Sequence, residues 1–103
     1  MDNVIPLRRR APAPSPDPLW REAVGAELRH ERHRVGRTLG DVAKRAGVSV
    51  QYLSEMERGL KDPSSELLGA VSGALGLRLV DLTVRVSRTL AASRPTGPLA
   101  LAA

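Results

Sequence analysis

The chain has 103 residues, 42% of them apolar and none of them cysteine, which is enough for one modest core and excludes a disulfide framework or a thiolate metal site. Sixteen Lys and Arg against eleven Asp and Glu leave a net charge of +5 and an isoelectric point near 11.0, the profile of a protein that meets polyanions. No apolar run approaches the roughly 20 residues that cross a bilayer, and Met1 to Leu7 lacks a signal-peptide core, so the expected location is the cytoplasm, at the nucleoid.

Residues 1–16 read as a disordered arm, with Arg8, Arg9 and Arg10 ahead of the extended run APAPSP. Those arginines can add non-specific phosphate contacts or simply form a solvated basic tail. Asp17 followed by Pro18 is a helix start, because Asp caps free N–H groups and proline at the first position loses no hydrogen bond. Trp20, Val24, Leu28, Glu31 and Val35 then recur at helical spacing until Gly36. Thr38 and Asp41 have the spacing of a capping box, and Leu39, Val42, Ala43 and Ala46 make a second, short amphipathic helix. Gly47 can turn the chain sharply and Ser49 can cap a third helix from Val50 to about Arg58. After a loop from Gly59 to Pro63, Ser64 caps a fourth helix carrying Leu67, Leu68, Val71, Ala74 and Leu75, which Gly76 ends.

The last regular segment, LRLVDLTVRVSRTL, carries two periods at once. Leu79, Leu82, Val86 and Leu90 approximate a helical stripe, whereas Val80, Leu82, Val84 and Val86 alternate with polar residues as a strand would. Helix is favoured, since four helices precede it and the chain offers no partner strand. The expected fold is therefore all-α: a five-helix helix-turn-helix domain over 18–82, a C-terminal helix over 79–92 and flexible ends, the second over 93–103.

The third helix has two unlike sides. With about 100° per residue, Met56 and Glu57 fall within roughly 60° of Leu53, while Gln51, Ser54, Glu55 and Arg58 point away. Those side chains can hydrogen-bond base edges in a major groove, Gln most naturally with adenine and Arg with guanine. Tyr52, on the flank, can bring its hydroxyl to a phosphate while its ring packs on the domain. A plain solvated helix would carry the same polar residues. The helix, glycine turn and capped helix at this spacing, in a basic all-helical chain, favour DNA.

From Leu28 to Leu82 the chain resembles the Cro/cI, or XRE, type of helix-turn-helix domain: LR near the start, TLGDVAKRAGVS, YLSEMERG, Pro63, then ALG followed by L-x-x-L. The resemblance implies a motif proper over 39–58, with DNA contacts from Thr38, Leu39, Ser49, Val50, Gln51, Tyr52, Ser54, Glu55, Arg58 and Lys61. Family members often carry Gln where Leu39 stands, at the start of the second helix. Within that family GRTLGDVA, VSVQYLSEMERG and PSSELL are similar to the actinobacterial regulators of Clp protease genes, which are activators; Gln51 replaces a smaller residue common among them. Glu57 points inward, and an unpaired buried carboxylate is costly. Arg32 on the first helix is its expected partner, which the resemblance also suggests, so losing Arg32 should destabilise the domain more than losing Arg34.

A single reading helix contacts only a few base pairs, so a homodimer on a pseudo-palindromic operator is expected, with half-sites about 34 to 36 Å apart. Leu79, Leu82, Val86 and Leu90 are assigned in part to the dimer interface. His30 and His33, at i and i+3, have a spacing compatible with shared metal ligation, but no third ligand clusters near them. The serines lack a paired base and no glycine-rich phosphate loop follows a strand, so neither catalysis nor a cofactor is expected. Leu101, Ala102 and Ala103 resemble the end of a bacterial tag read by Clp unfoldases, a possible degron. The reading is a sequence-specific transcriptional activator of Clp proteolysis genes that meets DNA, a second copy of itself, RNA polymerase and Clp protease. The alternative is a protein-interaction module such as an antitoxin.

Overall fold

Three helices start at a hydroxyl, and those caps fix where the chain turns. Thr38 Oγ1 accepts from the Asp41 amide at 3.0 Å while the Asp41 carboxylate accepts from the Thr38 amide at 3.3 Å. That reciprocal bond holds the Asp41 carboxyl below its usual range. Ser49 and Ser64 accept from the amides of Tyr52 and Leu67 at 2.9 and 3.2 Å. In the computed structural model, which describes residues 17–93, the elements are α1 (Asp17–Val35), α2 (Leu39–Ala46), α3 (Val50–Glu57), α4 (Ser65–Ala74) and α5 (Leu79–Ser93). Between α2 and α3 the chain reverses at Gly47, whose φ of 76° is the left-handed conformation that glycine adopts without strain.

Val24 and Leu28 of α1, Val42 and Ala43 of α2, Leu53 and Met56 of α3, Leu68 and Val71 of α4, and Leu82 and Val86 of α5 close on one core. Among the described residues, Ser72 Oγ in α4 is the one buried side-chain polar atom without a hydrogen-bond partner. Where α1 crosses α3 the backbones nearly touch. A Cβ on Gly25 would stand 2.3 Å from the Met56 carbonyl oxygen and 2.6 Å from that of Glu57, so only glycine fits. Arg21 Nε donates to the Gly59 carbonyl at 3.4 Å, tying α1 to the loop that follows α3.

The segment with two periods is a helix, and its strand-like alternation has a helical cause. Leu82 and Val86 lie one turn apart on the inner face, 1% and 0% exposed, while Val80 and Val84 share the outer face at 48% and 43%. Of Leu79, Leu82, Val86 and Leu90, assigned in part to a dimer interface, this corrects Leu82 and Val86. Leu82 and Val86 belong to the chain's own core, and Leu79 and Leu90 pack against it. The domain also runs past residue 82, because Val86 completes that core.

Charge fastens α5 to α1. Glu31, which occupies a core position of the α1 stripe, is 1% exposed. Its carboxylate accepts from Arg34 Nη2 at 2.5 Å and from Arg85 Nη1 of α5 at 2.7 Å, and Arg85 also reaches Glu27 at 3.4 Å. Hydrogen bonding from Arg34, opposed by burial and reinforced by Arg85, holds the Glu31 pKa at about 2. Among the described residues no single helix is long and apolar enough to cross a membrane. The basic arm and the Leu101, Ala102 and Ala103 segment lie outside the described residues.

Candidate nucleic-acid interface

Helix α3 owes its position to its apolar side. Leu53 and Met56 are 0% and 2% exposed in the core, which turns Gln51 and Arg58 into solvent. Val50, at the first turn, is 49% exposed beside Gln51. Ser54 and Glu55 are half-buried. Glu55 lies between two partners, with Gln51 Nε2 at 3.5 Å and Lys61 Nζ at 3.8 Å. The lysine offsets a carboxylate that would otherwise repel a phosphate backbone, and the i, i+4 contact orients the glutamine amide along the face. Tyr52 packs its ring against the core from the flank.

The N-terminus of α2 opens beside this face. Thr38 is exposed with its hydroxyl engaged in the capping box, and Leu39 is half-buried against the core. A leucine there contributes no side-chain donor, so what this turn offers an anion is its backbone N–H groups. Ser49 is exposed at the start of α3, its oxygen already accepting from Tyr52.

Arg32 and Glu57 meet beneath α3. Nε donates to Oε2 at 2.7 Å and Nη2 to Oε1 at 3.0 Å, with the side chains 11% and 5% exposed. Arg32 Nη1 also donates to the Arg37 carbonyl at 3.1 Å, and the Arg37 guanidinium donates to the carbonyl of Ala74 at the end of α4. One chain of hydrogen bonds therefore runs from α3 through α1 and the α1–α2 turn to α4. The hydrogen bond to Glu57 raises the Arg32 pKa above its ordinary value, so the guanidinium stays charged.

Sequence reasoning did not single out three features that hold the interface in place. Gly25 carried a signal, a glycine inside a helical stripe. Glu31 carried another, a carboxylate at a core position. Arg85 carried no local signal, because its partners stand 54 and 58 residues away in the chain.

The model of a family described as a helix-turn-helix domain matches residues 23–85. Over 85 residues, 77% of this chain and 76% of the relative, the sequence is 49% identical to the transcriptional regulator ClgR of Mycobacterium tuberculosis. The crystal structure of the clp gene regulator ClgR from Corynebacterium glutamicum superposes with a TM-score of 0.73 at 44% identity, covering 84% of this chain and 93% of that one. The restriction-modification controller protein C.AhdI from Aeromonas hydrophila shares the fold, with a TM-score of 0.58 at 24% identity over 59% of this chain and 92% of its own.

Proposed function

Because this chain belongs to the helix-turn-helix domain family and is a DNA-binding transcriptional regulator, we propose that it activates genes of Clp-dependent proteolysis by seating α3 in the major groove of a paired operator. The observation that carries the reading is the division of α3 between buried Leu53 and Met56 and solvent-facing Gln51 and Arg58. Identity of 44% with a clp gene regulator, over 84% of this chain and 93% of that one, supports the choice of target genes.

Gln51 reads adenine and Arg58 reads guanine, each through two hydrogen bonds, and the exposed Val50 side chain suits a thymine methyl group. Glu55 and Ser54 complete the reading face. Tyr52, Ser49, Lys61 and the amide groups after Thr38 fix the register on phosphates, with no base preference of their own. The protein acts as a homodimer, so the operator carries two half-sites about one helical turn apart. Activation further implies that the bound dimer meets RNA polymerase.

Selection of bound sequences from random duplex DNA, followed by mobility-shift titrations in rising salt, tests the reading. A paired consensus whose binding weakens steeply with salt supports it, and a protein that enriches no sequence contradicts it. Substituting Gln51 by Ala should relax the consensus at one position in each half-site and cost about 1 to 3 kcal/mol there.

A further inference from the structure

The reading face does not end at α3. Ser54 and Arg58 share a concavity of 240 Å³ with Leu39 of α2 and with Arg29, Arg32 and Glu57 beneath them. A second hollow of 460 Å³ continues from it along α1, lined by Ala26, Arg29, His30, His33 and again Glu57. Arg29 lines both. Among the described residues the only carboxylate lining either hollow is Glu57, and Arg32 takes its charge through two hydrogen bonds. Arg29 and Arg58 are exposed, and neither guanidinium has a hydrogen-bond or ion-pair partner among the described residues. The hollow is therefore a concave surface with uncompensated positive charge, open at one end onto the reading helix and onto the first turn of α2.

We propose that this cleft between α1 and α3 seats the sugar-phosphate backbone of the operator, with Arg29 binding a phosphate beyond the bases that α3 reads. The inference rests on the DNA-binding reading above and extends its footprint onto α1. A phosphate fits better than a carboxylate ligand. The hollow is open rather than enclosed, its cations stand on two helices at its rims, and α2 aims its first N–H groups at the same place. Arg29 contacts no base, so it adds affinity and register without sequence preference.

The test is a salt titration of full-length protein on its selected operator and on an unrelated duplex, comparing wild type with Arg29→Ala and Arg29→Lys. Losing one phosphate contact lowers the slope of log K against log salt by about 0.9, so the advantage of wild type over Arg29→Ala shrinks about threefold between 50 and 200 mM salt. Arg29→Ala should show that change equally on both duplexes, and Arg29→Lys should restore most of the slope. Arg29 is exposed and unpaired, so all three proteins should melt alike. An unchanged slope for Arg29→Ala overturns the inference, and so does a loss confined to the operator, which would make Arg29 a base reader. If wild type itself binds neither duplex, the regulator reading fails first, and the two failures are distinguishable.

Discussion

Arg32 and Glu57 join α1 to the end of α3 through two parallel hydrogen bonds, 2.7 and 3.0 Å long, in a site where the carboxylate side chain is 5% exposed. Removing the arginine alone strands that charge and leaves the Arg37 carbonyl without its donor. Arg32→Ala should therefore lose about 3 to 5 kcal/mol of stability. Arg34→Ala removes a partner of an equally buried carboxylate, yet Glu31 keeps Arg85 at 2.7 Å, so its loss should be smaller. Replacing both members of the first pair, as Arg32→Met with Glu57→Leu, should recover most of what Arg32→Ala loses. Urea midpoints at constant slope measure all three, and equal midpoints for Arg32→Ala and Arg34→Ala would remove the pair's special weight.

Gly25 makes a second, steric prediction about the same crossing. Gly25→Ala places a methyl group 2.3 Å from the Met56 carbonyl oxygen, so α1 and α3 must move apart. The expected loss is about 1 to 3 kcal/mol, accompanied by weaker operator binding because α3 shifts against α2. Gly69 in the interior of α4 is the contrasting case, with nothing within 4 Å of an added Cβ. Gly69→Ala should raise stability by about 0.5 to 1 kcal/mol. Thermal midpoints of opposite sign for two Gly→Ala changes would separate close approach from helix propensity.

The contrast marks what could be read from sequence. Caps are local, so Thr38 with Asp41, Ser49 and Ser64 announced α2, α3 and α4 within a residue of their starts, and the angular position of Glu57 pointed to a partner on α1. The C-terminal segment was harder because two periods coincide in it. Leu82 and Val86 satisfy both, and only the presence of α1 and α4 on one side decides which apolar residues are covered. Two of the four residues given to the interface, Leu82 and Val86, are consequently core residues, and the outer pair Val80 and Val84 was not among the four. Long-range ionic contacts such as Arg85 with Glu31 leave no trace in spacing at all. The identity of the base contacts is likewise set by DNA, not by anything periodic in the chain.

Glu31 makes the stability depend on acid. Its pKa falls from the ordinary 4.5 to about 2 in the folded chain, where Arg34 and then Arg85 hydrogen-bond the ionised form. A depressed folded value means that the stabilisation is fully present above the unfolded pKa and is lost as pH falls through the folded one. The window is therefore between about 4.5 and about 2, and the total is on the order of 3 kcal/mol. Glu31→Gln should be less stable than wild type at pH 7 and should lose less on going to pH 2. Parallel stability curves for the two proteins across that window would show that Glu31 does not carry the acid sensitivity.

The outer face of α5 is where pairing of two copies can be tested without unfolding either. Val80 and Val84 are 48% and 43% exposed, and Val84 borders a shallow depression with Thr83, Ser87, Arg88 and Ala91. Exposed β-branched residues one turn apart, beside small side chains, allow two helices to approach closely, which suits a symmetric contact in which the same face serves both copies. Val84→Lys should therefore yield a monomer by sedimentation, with an unchanged melting temperature at low protein concentration and a much weaker grip on the paired operator. Val86→Lys is a different experiment, because its side chain is 0% exposed and a buried lysine unfolds the domain before any interface is probed. A Val84→Lys protein that still sediments as a dimer and binds the paired operator as wild type does would move the interface away from α5 altogether.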